Sequence, residues 1–375
     1  MPLKIFHSGR QSRLERSKVE KAIEELYEAV DSMDVTVLDG QQIAKLAVRV
    51  YDLEIDDQDA GSSNSKQLSF FAPLSQELYK RYPLGEKEER TFHNSLHNFF
   101  KIPPGKSSAI NLADDLTTQF AWFVDGHDRP DIPINGSCFK PTLGGLSGWG
   151  FQEGPFDFET DKDNDDYVFD DLVTEPPCLR AFFLDRYPGY EEEEISHFMF
   201  GLKIDCENGH ELFKGEVLQI LMAMKGQLKL RELEKHVVFP LLVFSFMGRQ
   251  GRIIEAFHDS SYLNIHKSRL FEFRNFEEAP FDLFARYFAN TPIGDTRHLP
   301  VPQQIHTEAT SAVDSTMKLH DSGTVRQQRL TKQGENTLER QPSLRNFWKQ
   351  RLSVRSKKDN RRGDVRTTFP DQVEE

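Results

Sequence analysis

Residues 215–259, GEVLQILMAMKGQLKLRELEKHVVFPLLVFSFMGRQGRIIEAFHD, decide how the chain is read. With Phe213 just ahead, Val217, Ile220, Leu221, Met224 and Leu228 recur at helical spacing, which predicts one long helix running to about Glu234. Val237 to Met247 is then apolar on both faces, as expected of a buried central strand, and Pro240 must sit near its start or at an irregularity. Gly248 to Gly251 is a turn, and Arg252 to Phe257 returns as a second strand. A helix followed by two buried strands belongs to an α/β or α+β fold.

Upstream, Leu179–Leu184 and His197–Ile204 read as strands joined through Pro188-Gly189 and a run of glutamates. Downstream, Tyr262 to Phe273 supplies short strands, and Ala279 to Phe288 reads as a closing helix started by Pro280. The front of the chain reads helical. Val19, Ile23, Leu26 and Val30 form a stripe in Arg13 to Val30, and Gln41 to Leu53 places Ile43, Leu46, Ala47 and Val50 at similar spacing. Further helices are predicted over Leu74–Arg81 and Glu86–Phe100, the latter stopping before Pro103-Pro104. The expected organisation is a helical region over 1–124, a loop-rich acidic segment over 125–176, an α/β core over 177–299 and a disordered tail over 300–375.

Charge follows the same division. Of 47 Lys+Arg and 60 Asp+Glu, 14 and 10 fall in residues 300–375, so 33 and 50 fall before them. The front is strongly acidic and the tail basic. Only Phe347, Trp348 and Phe369 are aromatic after residue 300, too little apolar surface to offset the entropy of ordering. Within the tail, Leu344, Phe347, Trp348 and Leu352 predict a short docking helix over 343–352. Arg340 to Arg366 carries 10 basic and 2 acidic residues, a pattern suited to phosphate contact or nuclear import. Arginines shortly before Ser343 and Ser353 mark both as serines whose phosphorylation would lower that charge.

Several classes are disfavoured. The longest mostly apolar run has 11 residues, Val237 to Met247 with Ser245 inside it, against the roughly 20 that a bilayer requires, and the charged residues from Arg13 to Lys21 leave no apolar leader. Cys138, Cys178 and Cys206 form neither a disulfide framework nor a metal clip, which points to a reducing compartment, cytoplasm or nucleus. Asp161 to Leu172 opens like a calcium loop but has Asp166 where Gly is needed and Leu172 where Glu is needed. His93 and His97 share a helical face, yet Asn94 stands where a zinc peptidase has its Glu. Gly148, Gly150 and Gly154 miss the phosphate-loop spacings, and Ser245 lies in a buried strand rather than in a nucleophile elbow.

From Leu179 to about Asn290, the order strand, strand, helix, strand, strand, helix resembles the core of the PD-(D/E)XK nuclease-like fold, as found in uncharacterised fungal proteins. The resemblance lies in shape and hydrophobicity and covers just under a third of the chain. It implies a site in which an acid on one strand and an acid-x-Lys on the next hold Mg²⁺, a hard cation served by carboxylates, and activate water. Matched residue by residue, Asp185 is the first acid and Lys203 the lysine, while Gly201 occupies the second-acid position. Strand alternation puts Gly201, Lys203 and Asp205 on one face, so Asp205 is a substitute acid, and Glu216 and Gln219 on the next helix are further contributors. Asp185, Asp205 and Glu216 are then the metal ligands of a Mg²⁺-dependent nuclease. The missing acid at Gly201 favours instead a degenerate, non-enzymatic member without cofactor that acts through a protein partner. Nucleic-acid binding through residues 340–366 is a further alternative, and no membrane association is expected.

Overall fold

A computed structural model describes residues 3–55, 69–103, 105–134, 141–152, 180–184, 195–206 and 209–300. Met1–Val301 forms one compact unit, and Pro302–Glu375 belongs to a separate one that lies outside the described residues, as do the segment read as a docking helix and the calcium-like loop. In chain order the elements are α1 (Leu3–Asp31), β1 (Val37–Leu38), α2 (Gly40–Ile43), β2 (Val48–Asp52), β3 (Phe71–Ala72), α3 (Gln76–Lys80), α4 (Glu86–Phe100), α5 (Ala109–Ala121), α6 (Leu143–Ser147) and β4 (Trp149–Gln152). They continue with β5 (Arg180–Leu184), β6 (Phe198–Ile204), β7 (Leu212–Phe213), α7 (Lys214–Lys229), β8 (Leu241–Met247), β9 (Gln250–His258), β10 (Leu263–Lys267), β11 (Phe271–Glu272), α8 (Phe281–Phe288) and β12 (Thr291–Pro292).

The main sheet is mixed, in the order β2-β10-β9-β8-β6-β5-β4, with β11 paired to β9. β6 and β8 are parallel neighbours joined through α7, a β-α-β crossover, and β2 runs parallel to β10. Alternation along β6 sends Phe198, Phe200 and Leu202 to one side, where Val19, Ile23, Leu26 and Val30 of α1 and Val217, Ile220, Leu221 and Met224 of α7 complete a core. On the other side Met199, Leu242, Phe244 and Phe246 pack with α4, α5 and α8. The described residues of the first unit therefore form a mixed sheet with helices on both faces.

The second layer is dense in phenylalanine. Phe284 of α8 meets the rings of Phe273 at 5.1 Å, Phe271 at 5.6 Å, Phe246 at 5.9 Å and Phe120 at 6.1 Å. Such pairs add about 0.5–1.5 kcal/mol each beyond burial, so truncating Phe284 removes several at once. Gly251 is required by this packing, since a Cβ there would lie 2.9 Å from Phe246 and 3.1 Å from Phe273.

α1 is fastened to α7 by Arg16. Its guanidinium donates to the carbonyls of Leu228 (2.6 Å), Leu233 (2.6 Å) and His236 (2.7 Å), at the end of α7 and in the turn after it, and the Leu233 carbonyl also accepts the His236 N–H at 3.0 Å.

Three expectations change. Gln41 to Leu53 is a short α2 followed by β2, because Val48 and Val50 alternate inward while pairing with Leu263 and Ile265 outweighs the helical spacing. The segment read as loops after residue 125 supplies α6 and β4, so the sheet takes strands from all three regions that the sequence separates. The long helix ends at Lys229, and Arg231–Leu233 forms a 3₁₀ turn.

Candidate functional site

Lys203 lies near the carboxyl end of β6 on the α5 face. Its side chain is buried at 7 % exposure, and Nζ donates to Asp114 Oδ1 at 2.6 Å. Asp114, half-exposed, comes from the first turns of α5, which packs across the sheet through Leu112, Ala113, Leu116 and Phe120. Asp205, two residues beyond Lys203, accepts the Ile110 N–H at 3.0 Å and so satisfies one of the free donors at the start of α5. Ser108 caps the same end by accepting from Asn111. Next along the helix, the Asp115 carboxyl is pushed up by burial and by the neighbouring Asp114 charge.

Glu216 and Gln219 do not join this group. They belong to α7, on the opposite face of the sheet. Glu216 is fully buried, accepts the Phe213 N–H at 2.9 Å, and takes a two-point contact from the Arg252 guanidinium of β9, with Nε at 2.9 Å from Oε1 and Nη2 on Oε2. Gln219 is buried one turn on, its Oε1 without a hydrogen-bond partner. Asp185 lies outside the described residues. Leu184, just before it, pairs with Trp149 and follows Phe182, which pairs with Met199, so β5 ends beside the start of β6, away from Lys203.

The geometry thus sets Lys203 and Asp205 both against α5, adds Asp114, and separates Glu216 and Gln219 by the thickness of the sheet. For Mg²⁺ the carboxylates must converge on one octahedral centre, and Asp205 and Glu216 cannot. Among the described residues no three His, Cys, Asp or Glu side chains are grouped to hold a metal ion. Asp114 escapes a sequence reading because it lies 89 residues from Lys203. The available signal was an Asp-Asp pair on the polar edge of an apolar helix.

The remaining sequence candidates are structural. His93 is exposed and packs on Phe276 with ring centroids 3.8 Å apart, and His97 is exposed. Gly148 takes a positive φ of 76° to end α6, and Ser245 is fully buried in β8. No helix among the described residues is long and apolar enough to cross a membrane. Compared with known proteins, the chain matches no family model, no curated protein and no solved structure.

Proposed function

We propose that this chain is a non-enzymatic protein built on a degenerate PD-(D/E)XK-like core, working in the cytoplasm or nucleus through contacts with a protein partner. The observation that carries this reading is the commitment of its polar residues to the fold. Lys203 is neutralised by Asp114, Asp205 caps α5, and Glu216 is consumed by Arg252 on the far face. A nuclease lysine has to orient water or meet developing charge; this one is held at 2.6 Å by a carboxylate and buried between β6 and α5, which favours a structural role.

The test is cleavage of DNA and RNA by the full chain with Mg²⁺, beside Lys203→Ala. Absence of cleavage across substrates supports the proposal. Activity that disappears in Lys203→Ala overturns it in favour of the nuclease reading with Asp185 and Lys203.

A second reading rests on a separate observation, the 10 basic against 2 acidic residues of Arg340 to Arg366, which fits a phosphate backbone. It expects the full chain to bind nucleic acid with affinity that falls steeply with salt, and reversal of charge at Lys357, Lys358, Arg361 and Arg362 to abolish that binding. Binding that survives the reversal rejects it.

A further inference from the structure

Glu255 points from β9 into the phenylalanine-rich layer and is 3 % exposed. Two donors reach it from the segment leading into β3: Phe70 N–H meets Oε1 at 2.5 Å, and Ser69 Oγ lies 3.1 Å from Oε2. Ser69 Oγ also lies 3.1 Å from the Phe71 carbonyl oxygen. Each Ser69 contact needs a hydrogen between two oxygens, and one hydroxyl has one hydrogen. The arrangement is complete when Glu255 is a neutral acid, its Oε2–H donating to Ser69 Oγ and Ser69 donating onward to Phe71. As a carboxylate, Glu255 would compete with the Phe71 carbonyl for that one hydrogen and leave a buried acceptor unmet, a costly state in low dielectric.

The groups that face it from the described elements are histidine rings and apolar side chains. His266 of β10 sits directly across the ladder from Glu255, stacked on Tyr51 of β2 with centroids 4.9 Å apart. On the other flank Glu255 faces Leu242 of β8. Behind Phe70 stands His197, edge-on to the ring at 6.1 Å and bonded through Nε2 to the Ile293 carbonyl. No lysine or arginine among the described residues pairs with Glu255.

We infer that Glu255 carries a proton in the folded protein and acts as the pin of a pH-dependent latch, fastening Ser69 to Ala72 onto the sheet in mild acid and loosening it towards neutral pH. Burial, opposed by the bonds from Phe70 and Ser69, holds this carboxyl up at about 7 against an ordinary 4.5. A group that binds its proton more tightly when the latch is closed makes opening easier as pH rises between those two values, and the effect levels off above them. The latch controls more than one segment, because β3 pairs with β12 through Ala72–Thr291 and Phe71–Pro292, and Ile293 N–H bonds the Phe70 carbonyl. Opening would bare Phe70 and Phe71, both at most 2 % exposed. His197 opposes it, since exposure of that ring would favour opening as pH falls.

Amide hydrogen exchange of the full chain, corrected for the intrinsic pH dependence, separates the two histories by comparison with Glu255→Gln. Glutamine mimics the neutral acid, accepting from Phe70 and donating to Ser69. The opening constant of Phe70 to Ala72 in the wild type, relative to the variant, is expected to rise about tenfold per pH unit between about 5 and 7. A ratio that does not change with pH overturns the proposal. So does a Glu255 carboxyl carbon that titrates near the ordinary value by NMR of the wild type, a measurement that holds even if the variant does not fold.

Discussion

Arg252 and Glu216 form an ion pair with side chains 1 % and 0 % exposed, joining the middle of the sheet to the first turn of α7. Arg252 also reaches the His210 carbonyl at 3.2 Å and lies over the Phe213 ring, so one guanidinium ties together the strand, the helix and the turn leading into it. A charge pair at such depth gains little over an apolar pair, because desolvation offsets the attraction, but removing one partner strands the other.

Glu216→Ala and Arg252→Ala are each expected to cost about 3–5 kcal/mol, measured by urea unfolding, whereas Glu216→Leu combined with Arg252→Met should recover most of that loss. Equal losses from the double variant and from either single one would show that the pair itself, not the stranded charge, supplies the stability.

Lys203 and Asp114 give a different asymmetry, because only the lysine is buried. In Lys203→Met the half-exposed Asp114 rehydrates, and the change is expected to stay within about 1 kcal/mol. In Asp114→Ala the buried ammonium loses its partner, and a loss of about 1–2 kcal/mol is expected, reduced by water that reaches the site through the helix surface. Denaturant midpoints of the two variants decide the order, and a Lys203→Met loss larger than that of Asp114→Ala would contradict this account.

What the sequence reveals and what it hides follow from the range of the interactions. The helix–strand–strand of residues 215–259 is legible because its periodicities are local and the first of its strands is apolar except for Ser245. Glu86–Phe100 is legible too, bounded by charge at its start and prolines after its end. β2 is hidden because its identity comes from Leu263 to Lys267, more than 200 residues away, while Val50 continues the helical spacing of Ile43 and Leu46 before it. At the candidate site, alternation correctly puts Lys203 and Asp205 on one face. It is silent on which face α7 covers, and that is why Glu216 is grouped with them in sequence and lies apart from them in space.

Arg16 offers a test of how α1 is held. Arg16→Ala removes the charged donor from the Leu228, Leu233 and His236 carbonyls, of which Leu233 keeps the His236 N–H, and a loss of about 1.5–3 kcal/mol is expected from charge-assisted bonds of this kind. Arg16→Lys should recover only part, since an ammonium lacks the planar fork that spans separated acceptors. Hydrogen exchange should show faster opening of α1 than of β8 in both variants. Uniform acceleration across the sheet would mean that Arg16 supports the whole fold.

The pH dependence of global stability has an opposite sign on its acid side from that of the Glu255 latch. Burial depresses His197, His258 and His266 to about 4 from an ordinary 6.5. The unfolded chain therefore takes up protons at these rings below pH 6.5 while the folded chain refuses them until about 4, so stability is lost as pH falls through that window. Each ring contributes up to about 3 kcal/mol at its full shift. Glu255 runs the other way, costing stability as pH rises from 4.5 to about 7. Three groups against one keep stability rising as pH climbs from about 4, with Glu255 blunting the rise, and a plateau above about pH 7 is expected. Urea midpoints at pH 5, 6, 6.5 and 8 measure the curve. His258→Gln should flatten its acid limb, because the ring accepts the Ser260 N–H through Nδ1 at 3.0 Å, and a glutamine oxygen can take the same bond without titrating. A wild-type midpoint that climbs steadily toward pH 5 would show that these rings are protonated in the folded chain.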